Sequence, residues 1–308
     1  MRSEQFVLRV SVAVTFLVAA AGILFGVVSG SSAIVFDGIY SLADATMTVA
    51  ALLVANLIAG TTGNRVRRSR LAERFTMGFW HLEPMVLGLN GVLLMGAAIY
   101  ALVNAVGSIL AGGRMLDFEQ GIAYAALVVV VALGMAFYSG RASRVLGSDF
   151  VKLDARAWMM SAALSGALLL AFVFGYGMQG TEHAWLLPYV DPAVLALVCL
   201  VIIPLPVGTV RQALADFLLV TPSELKSHVD AVARQAVERL GFTAFRAYVA
   251  RVGRGRQIEL YFIVPLGEAP RRLEEWDAIR DEIGDAIGGE GPDRWLTIAF
   301  TTDPEWAE

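Results

Sequence analysis

Six long apolar runs, at about residues 8–28, 33–59, 84–110, 119–139, 155–178 and 188–209, dominate the first two thirds of the chain. Each is long enough to cross a hydrocarbon core, which takes about 20 helical residues. The pattern predicts an all-α transmembrane domain of six helices over residues 1–212. The first run is too long for a signal-peptide core, and no A-x-A-like site follows it before the second run, so it is expected to stay as a helix.

Residues 213–308 have a different period. Thr221-Pro222-Ser223-Glu224 predicts a helix start with Thr221 as N-cap and Pro222 at the first helical position. Leu225, Val229, Val232, Ala236 and Leu240 give its apolar stripe, and Gly241 its stop. Residues 242–252 and 257–264 predict two strands joined at Gly253-Arg254-Gly255, with Ile258, Leu260, Phe262 and Val264 on one buried face. A helix over 271–287, stopped by Gly288-Gly289, and a strand over 295–301 complete the order α-β-β-α-β. This is a small cytoplasmic α+β domain of metallochaperone-like outline, with helices on one face of a sheet, suited to dimerisation or regulation. It is acidic and has no arginine-rich strand or exposed aromatic platform, so nucleic acid is not an expected partner. His228 is its only imidazole and reads as structural.

Composition sharpens the membrane reading. Of the 308 residues 57% are hydrophobic and only 17% charged, and the mean hydropathy is +0.64, outside the soluble globular range. The formal net charge of -4 hides an asymmetry. Arg65, Arg67, Arg68, Arg70 and Arg74 follow the second run, and Arg141, Arg144, Lys152 and Arg156 follow the fourth. The segments at 30–32, 114–119 and 182–191 carry little positive charge. By the positive-inside rule both termini are expected in the cytoplasm, with the chain passing repeatedly through the inner (plasma) membrane. Trp80 and Trp158 lie near span ends and read as aromatic belts, and Met159 and Met160 read as packing. Cys199 is the single cysteine, so no disulfide can form within the chain, and it reads as a buried, inert thiol.

Only two charged residues, Asp37 and Asp44, occur between residues 10 and 64. A carboxylate at membrane depth costs roughly 2.5 to 3.5 kcal/mol on insertion scales, so such a pair signals function. Helical spacing places Asp37, Ser41, Asp44 and Thr48 on one stripe with Tyr40 beside it. The fifth run carries a similar stripe of Asp154, Trp158, Ser161 and Ser165, with Ala157 beside it. Oxygen atoms from two helices make a cation site, and oxygen suits magnesium, manganese or ferrous iron better than zinc. Asn90 in the third run reads as an inter-helix bridge that could also lend an amide oxygen. No Gly-x-x-x-x-Gly-Lys-Ser/Thr run occurs, and an intramembrane acid-base pair would draw its carboxylates from two elements, so a carrier is expected and not an enzyme.

On these residues the chain resembles the cation diffusion facilitator family. Asp37-Gly-Ile-Tyr-Ser-Leu-Ala-Asp44 is similar to that family's second helix, and Asp154-Ala-Arg-Ala157-Trp-Met-Met-Ser161 to its fifth. Met77-Gly78-Phe79-Trp80-His81-Leu82-Glu83 resembles the stretch before the third helix, and Asp191-Pro192 the opening of the sixth. The resemblance implies a homodimer that exports a divalent metal cation in exchange for protons, with no resident cofactor. It also exposes departures. Tyr40, Ala157 and Ser161 stand where zinc transporters of the family place ligands, Phe79 stands where an accessory histidine would be, and only Asp44 matches cleanly. The favoured repair brings Asp37 and Asp154 to Asp44, with hydroxyl oxygen from Tyr40, Ser41 and Ser161. Alternatives are a monovalent ion, or a regulatory protein of the same fold that has lost transport. With no histidine in the spans, the carboxylates would carry the protons as well as the metal.

Overall fold

The computed structural model describes residues 4–61, 79–146, 149–267, 269–291 and 293–308. The arginine run from Arg65 to Arg74 and the residues Met77 and Gly78 lie outside them. Six helical stretches among the described residues are long and apolar enough to cross a membrane, one for each predicted run. They belong to α1 (Glu4–Ser29), α2 (Ser32–Thr61), α3 (Leu82–Leu110), α4 (Phe118–Leu146), α5 (Asp149–Gly177) and a final pair, α6 (Leu187–Ile202) and α7 (Val207–Phe217). The sixth run is broken because Pro204 and Pro206 lack the N–H that would continue the helix.

The chain divides into two compact units, the first being Met1–Ala50 with Leu89–Gly208. In it α4 packs along α5, with α1 against α4 and α6 against α5. Its main core joins Ile34, Phe36, Ala98, Tyr124, Phe172 and Leu195. The α1 and α2 backbones touch at glycines: a Cβ on Gly38 would lie 2.7 Å from the Ile23 nitrogen and 2.8 Å from the Ala19 oxygen. Pro192 lies inside α6 and cannot donate to the Pro188 carbonyl, which instead accepts from the Arg114 N–H at 2.7 Å. Gly113, at φ +85, permits that approach, since a Cβ there would sit 2.5 Å from the same oxygen.

The described residues of Ala51–Gly88 with Thr209–Glu308 form the second unit. Its elements beyond α7 are α8 (Ser223–Leu240), β1 (Ala244–Val252), β2 (Gly255–Ile263), α9 (Leu273–Ile287) and β3 (Arg294–Thr301). The order is the α-β-β-α-β predicted from the sequence, and β1 pairs antiparallel with β2 and β2 parallel with β3. Val229, Ala233 and Ala236 of α8 and Ile283 and Ile287 of α9 meet Ile258, Leu260 and Phe262 of β2 in one core. One cap differs from expectation. Pro222, not Thr221, is the N-cap of α8 and supplies no side-chain bond, whereas Gly241 at φ 72 closes the helix as anticipated. His228 Nε2 lies 3.1 Å from the Ile287 carbonyl oxygen, so this imidazole ties α8 to the end of α9.

The β1–β2 hairpin rests on the start of α3. A Cβ on Gly255 would sit 2.7 Å from the Trp80 ring, and one on Gly253 would lie 3.0 Å from the Trp80 carbonyl oxygen. Between the two glycines, Arg254 grips Glu83 with Nε at 2.9 Å and Nη2 at 3.1 Å. Trp80 is therefore a platform for the hairpin and not a belt residue.

Candidate metal centre

The start of α2 is fixed from α6. Asp191, 1% exposed, accepts from Ser31 Oγ at 2.5 Å, Ser32 N at 2.9 Å and Ala33 N at 3.3 Å. Ser31 Oγ in turn accepts from Ile34 N at 3.1 Å, an N-cap bond. A carboxylate at a helix N-terminus satisfies orphan N–H groups and complements the positive end of the dipole. Sequence reading missed this role. The available signal was a buried acid in the sixth run with no base nearby in sequence, and a serine pair opening the second.

From that anchor α2 carries its acids along. Asp37 is half-buried beside Tyr124 of α4. The tyrosine is 2% exposed, and its hydroxyl lies over Gly22, where an added Cβ would come within 2.5 Å. That hydroxyl is buried and lies next to the Asp37 carboxylate. Tyr40, one turn before Asp44, is half-buried and packs its ring 5.5 Å from that of Phe36. Asp44 itself is exposed in the single chain and meets α3 through Asn90, whose Nδ2 lies 3.4 Å from Asp44 Oδ1. The other end of that amide, Asn90 Oδ1, is buried with no partner among the described residues. Turning the amide over would set an oxygen against an ionised carboxylate, so Asp44 fixes this orientation. An unpartnered buried oxygen beside an acid is the arrangement that a cation completes.

Asp154 is placed differently from the sequence expectation. Ser11 Oγ of α1 donates to its Oδ1 at 2.6 Å and Ser139 Oγ of α4 to its Oδ2 at 2.7 Å. Trp158 Nε1 donates to the same Ser11 oxygen at 2.7 Å. At 6% exposed, Trp158 is a buried member of this network and not a belt residue. Among the described residues no three of His, Cys, Asp and Glu come together closely enough to hold a metal. The convergence of Asp37, Asp44 and Asp154 is thus not found: one acid lies beside Tyr124, one holds Asn90, and one pins three helices. Helical spacing gives each acid a face, and these serine and tyrosine partners give it neighbours that spacing does not reveal. Ser161 is half-buried on α5 without a side-chain hydrogen bond among the described residues, and Ala157 brings no donor atom. Met159 and Met160 are exposed on α5 and do not serve as core. Cys199 is fully buried with a free thiol, as read from the sequence.

Comparison with known proteins agrees with the fold. The model of the cation efflux transmembrane domain matches residues 8–218. The magnetosome protein MamM of Paramagnetospirillum magneticum is 28% identical over 170 residues, covering 55% of this chain and 48% of that protein. The chain thus spans about half the length of this curated relative.

Proposed function

We propose that this chain, which belongs to the cation efflux family of cation diffusion facilitators, is a secondary transporter exporting a divalent metal cation, with Asp44 at the centre of its site. The observation that carries the reading is the pairing of Asp44 with Asn90 inside two membrane-spanning helices, where one amide oxygen is left over. A carboxylate is retained there against its insertion cost because it handles a permeating charge. Asp44 and Asn90 supply oxygen, with hydroxyl oxygen available from Tyr40 and Ser41 on the same helix and Ser161 on α5. That donor set favours manganese, ferrous iron or magnesium over zinc, which prefers imidazole and thiolate.

Proton antiport follows from charge balance. When the cation leaves, a proton taken up by the carboxylate restores neutrality in the site. Asp37 is a second proton carrier, beside the Tyr124 hydroxyl. Asp154 joins the site only by releasing Ser11 and Ser139, which requires α1 or α4 to move against α5. Alternating access supplies such a rearrangement. The working unit is a homodimer in the inner membrane with both termini in the cytoplasm.

The absence of a three-acid cluster among the described residues favours a second reading, a regulatory membrane protein of the same fold. Proteoliposome flux of manganese, iron, cobalt, magnesium, zinc and sodium, with and without an imposed pH gradient, separates the two. A carrier moves at least one of these ions and loses flux with Asp44→Asn. A regulator moves none.

A further inference from the structure

The last turns of α4 and the first turns of α5 enclose a groove of about 990 Å³. Arg141 and Arg144 line it from α4, and Lys152 and Arg156 from α5. Among the described residues no acidic side chain lines it. The spacings i,i+3 and i,i+4 put each pair on one helix face, so four like charges border one space. All four side chains are exposed, and among the described residues none forms an ion pair. The positive-inside rule accounts for cations near a span end. It does not require them to border one groove between two helices, where their mutual repulsion opposes close packing. An anion between them removes that repulsion.

The rest of the groove identifies the anion. Phe137, 73% exposed, and Met159, 55% exposed, extend its wall toward the membrane interior. A free phosphate would leave these surfaces unused and most of the volume empty. A molecule with an anionic head and an apolar chain fits both ends.

We infer that this groove binds an anionic phospholipid, its phosphate held by Arg141, Arg144, Lys152 and Arg156 and an acyl chain lying along Phe137 and Met159. The site shares no lining residue with Asp44, Asp37 or Asp154.

The test uses the full-length protein, stripped of lipid in a neutral detergent and titrated with phosphatidylglycerol, phosphatidylcholine or inorganic phosphate. Native mass spectrometry counts bound lipid. Phosphatidylglycerol is expected to bind at least tenfold more tightly than phosphatidylcholine. Each cation removed should weaken it about fivefold, so Arg141→Gln with Arg156→Gln loses about 25-fold, and Arg141→Lys with Arg156→Lys retains most of the binding. Lys152→Gln alone, which leaves the helix contacts intact, should lose about fivefold and serves if the double variant fails to fold. Equal retention of the two lipids, or a preference unchanged in Lys152→Gln, overturns the assignment. Displacement of phosphatidylglycerol by equimolar inorganic phosphate also overturns it, in favour of a free anion.

Discussion

Asn90 reaches across from α3 to place its amide nitrogen 3.4 Å from the Asp44 carboxylate, and its own oxygen stays buried without a partner among the described residues. On the proposed function, this pair offers the transported cation part of a coordination shell. Asn90→Leu removes both the orienting bond and the spare oxygen, and should weaken binding of the transported cation 10- to 100-fold, the range for groups that orient a ligand. Asn90→Asp adds a second acid and should shift the ion preference while keeping binding. Equilibrium titration with manganese and magnesium checks both.

Asp191 bonds with three groups at the start of α2, and it is fully buried. Asp191→Ala strands two backbone N–H groups and the Ser31 hydroxyl away from water. The expected loss is about 2 to 4 kcal/mol, read as a fall in thermal midpoint in detergent. Asp191→Asn keeps an acceptor and should fall by less.

Gly22 makes room for the Tyr124 hydroxyl, and Gly38 for the backbone of α1. Gly22→Ala should destabilise the protein, and adding Tyr124→Phe should recover part of the loss because the obstructing oxygen is gone. Gly38→Ala should not be rescued this way, since its added methyl meets the Ile23 nitrogen and Ala19 oxygen. Thermal midpoints of the three single variants and the two doubles decide the matter.

Arg254 and Glu83 form a two-pronged ion pair that fixes the hairpin to the start of α3. The Glu83 carboxylate, by hydrogen bonding, holds the Arg254 guanidinium above its ordinary arginine value. Both side chains are partly exposed, which limits the pair to about 1 kcal/mol. Arg254→Glu should lower stability and raise proteolysis at the hairpin, and the exchange Arg254→Glu with Glu83→Arg should restore most of both. Restoration distinguishes a direct contact from separate effects of two charges.

The six spans were legible because apolar runs near 20 residues leave little choice of structure, and the tail because its periods change at Gly241, Gly253 and Gly288. The break at Pro204 and Pro206 was not anticipated, because residues 188–209 read as one apolar run. The site was only half legible. Asp37, Tyr40 and Asp44 could be placed on one helix by spacing, but which neighbouring helix each acid meets depends on helix rotation. That rotation is set by contacts distant in sequence, such as Asp191 with Ser31, Ser11 with Asp154 and Gly38 with Ala19. Trp158 was misread for the same reason, its place near a span end being visible and its bond to Ser11 not.

The central claim is that Asp44 carries the permeating ion, and manganese flux into proteoliposomes holding Asp44→Asn tests it most directly. The isosteric change keeps the shape of the side chain and removes its charge. The account predicts flux and equilibrium manganese binding lost together, with the thermal midpoint nearly unchanged. Wild-type flux in Asp44→Asn would contradict it.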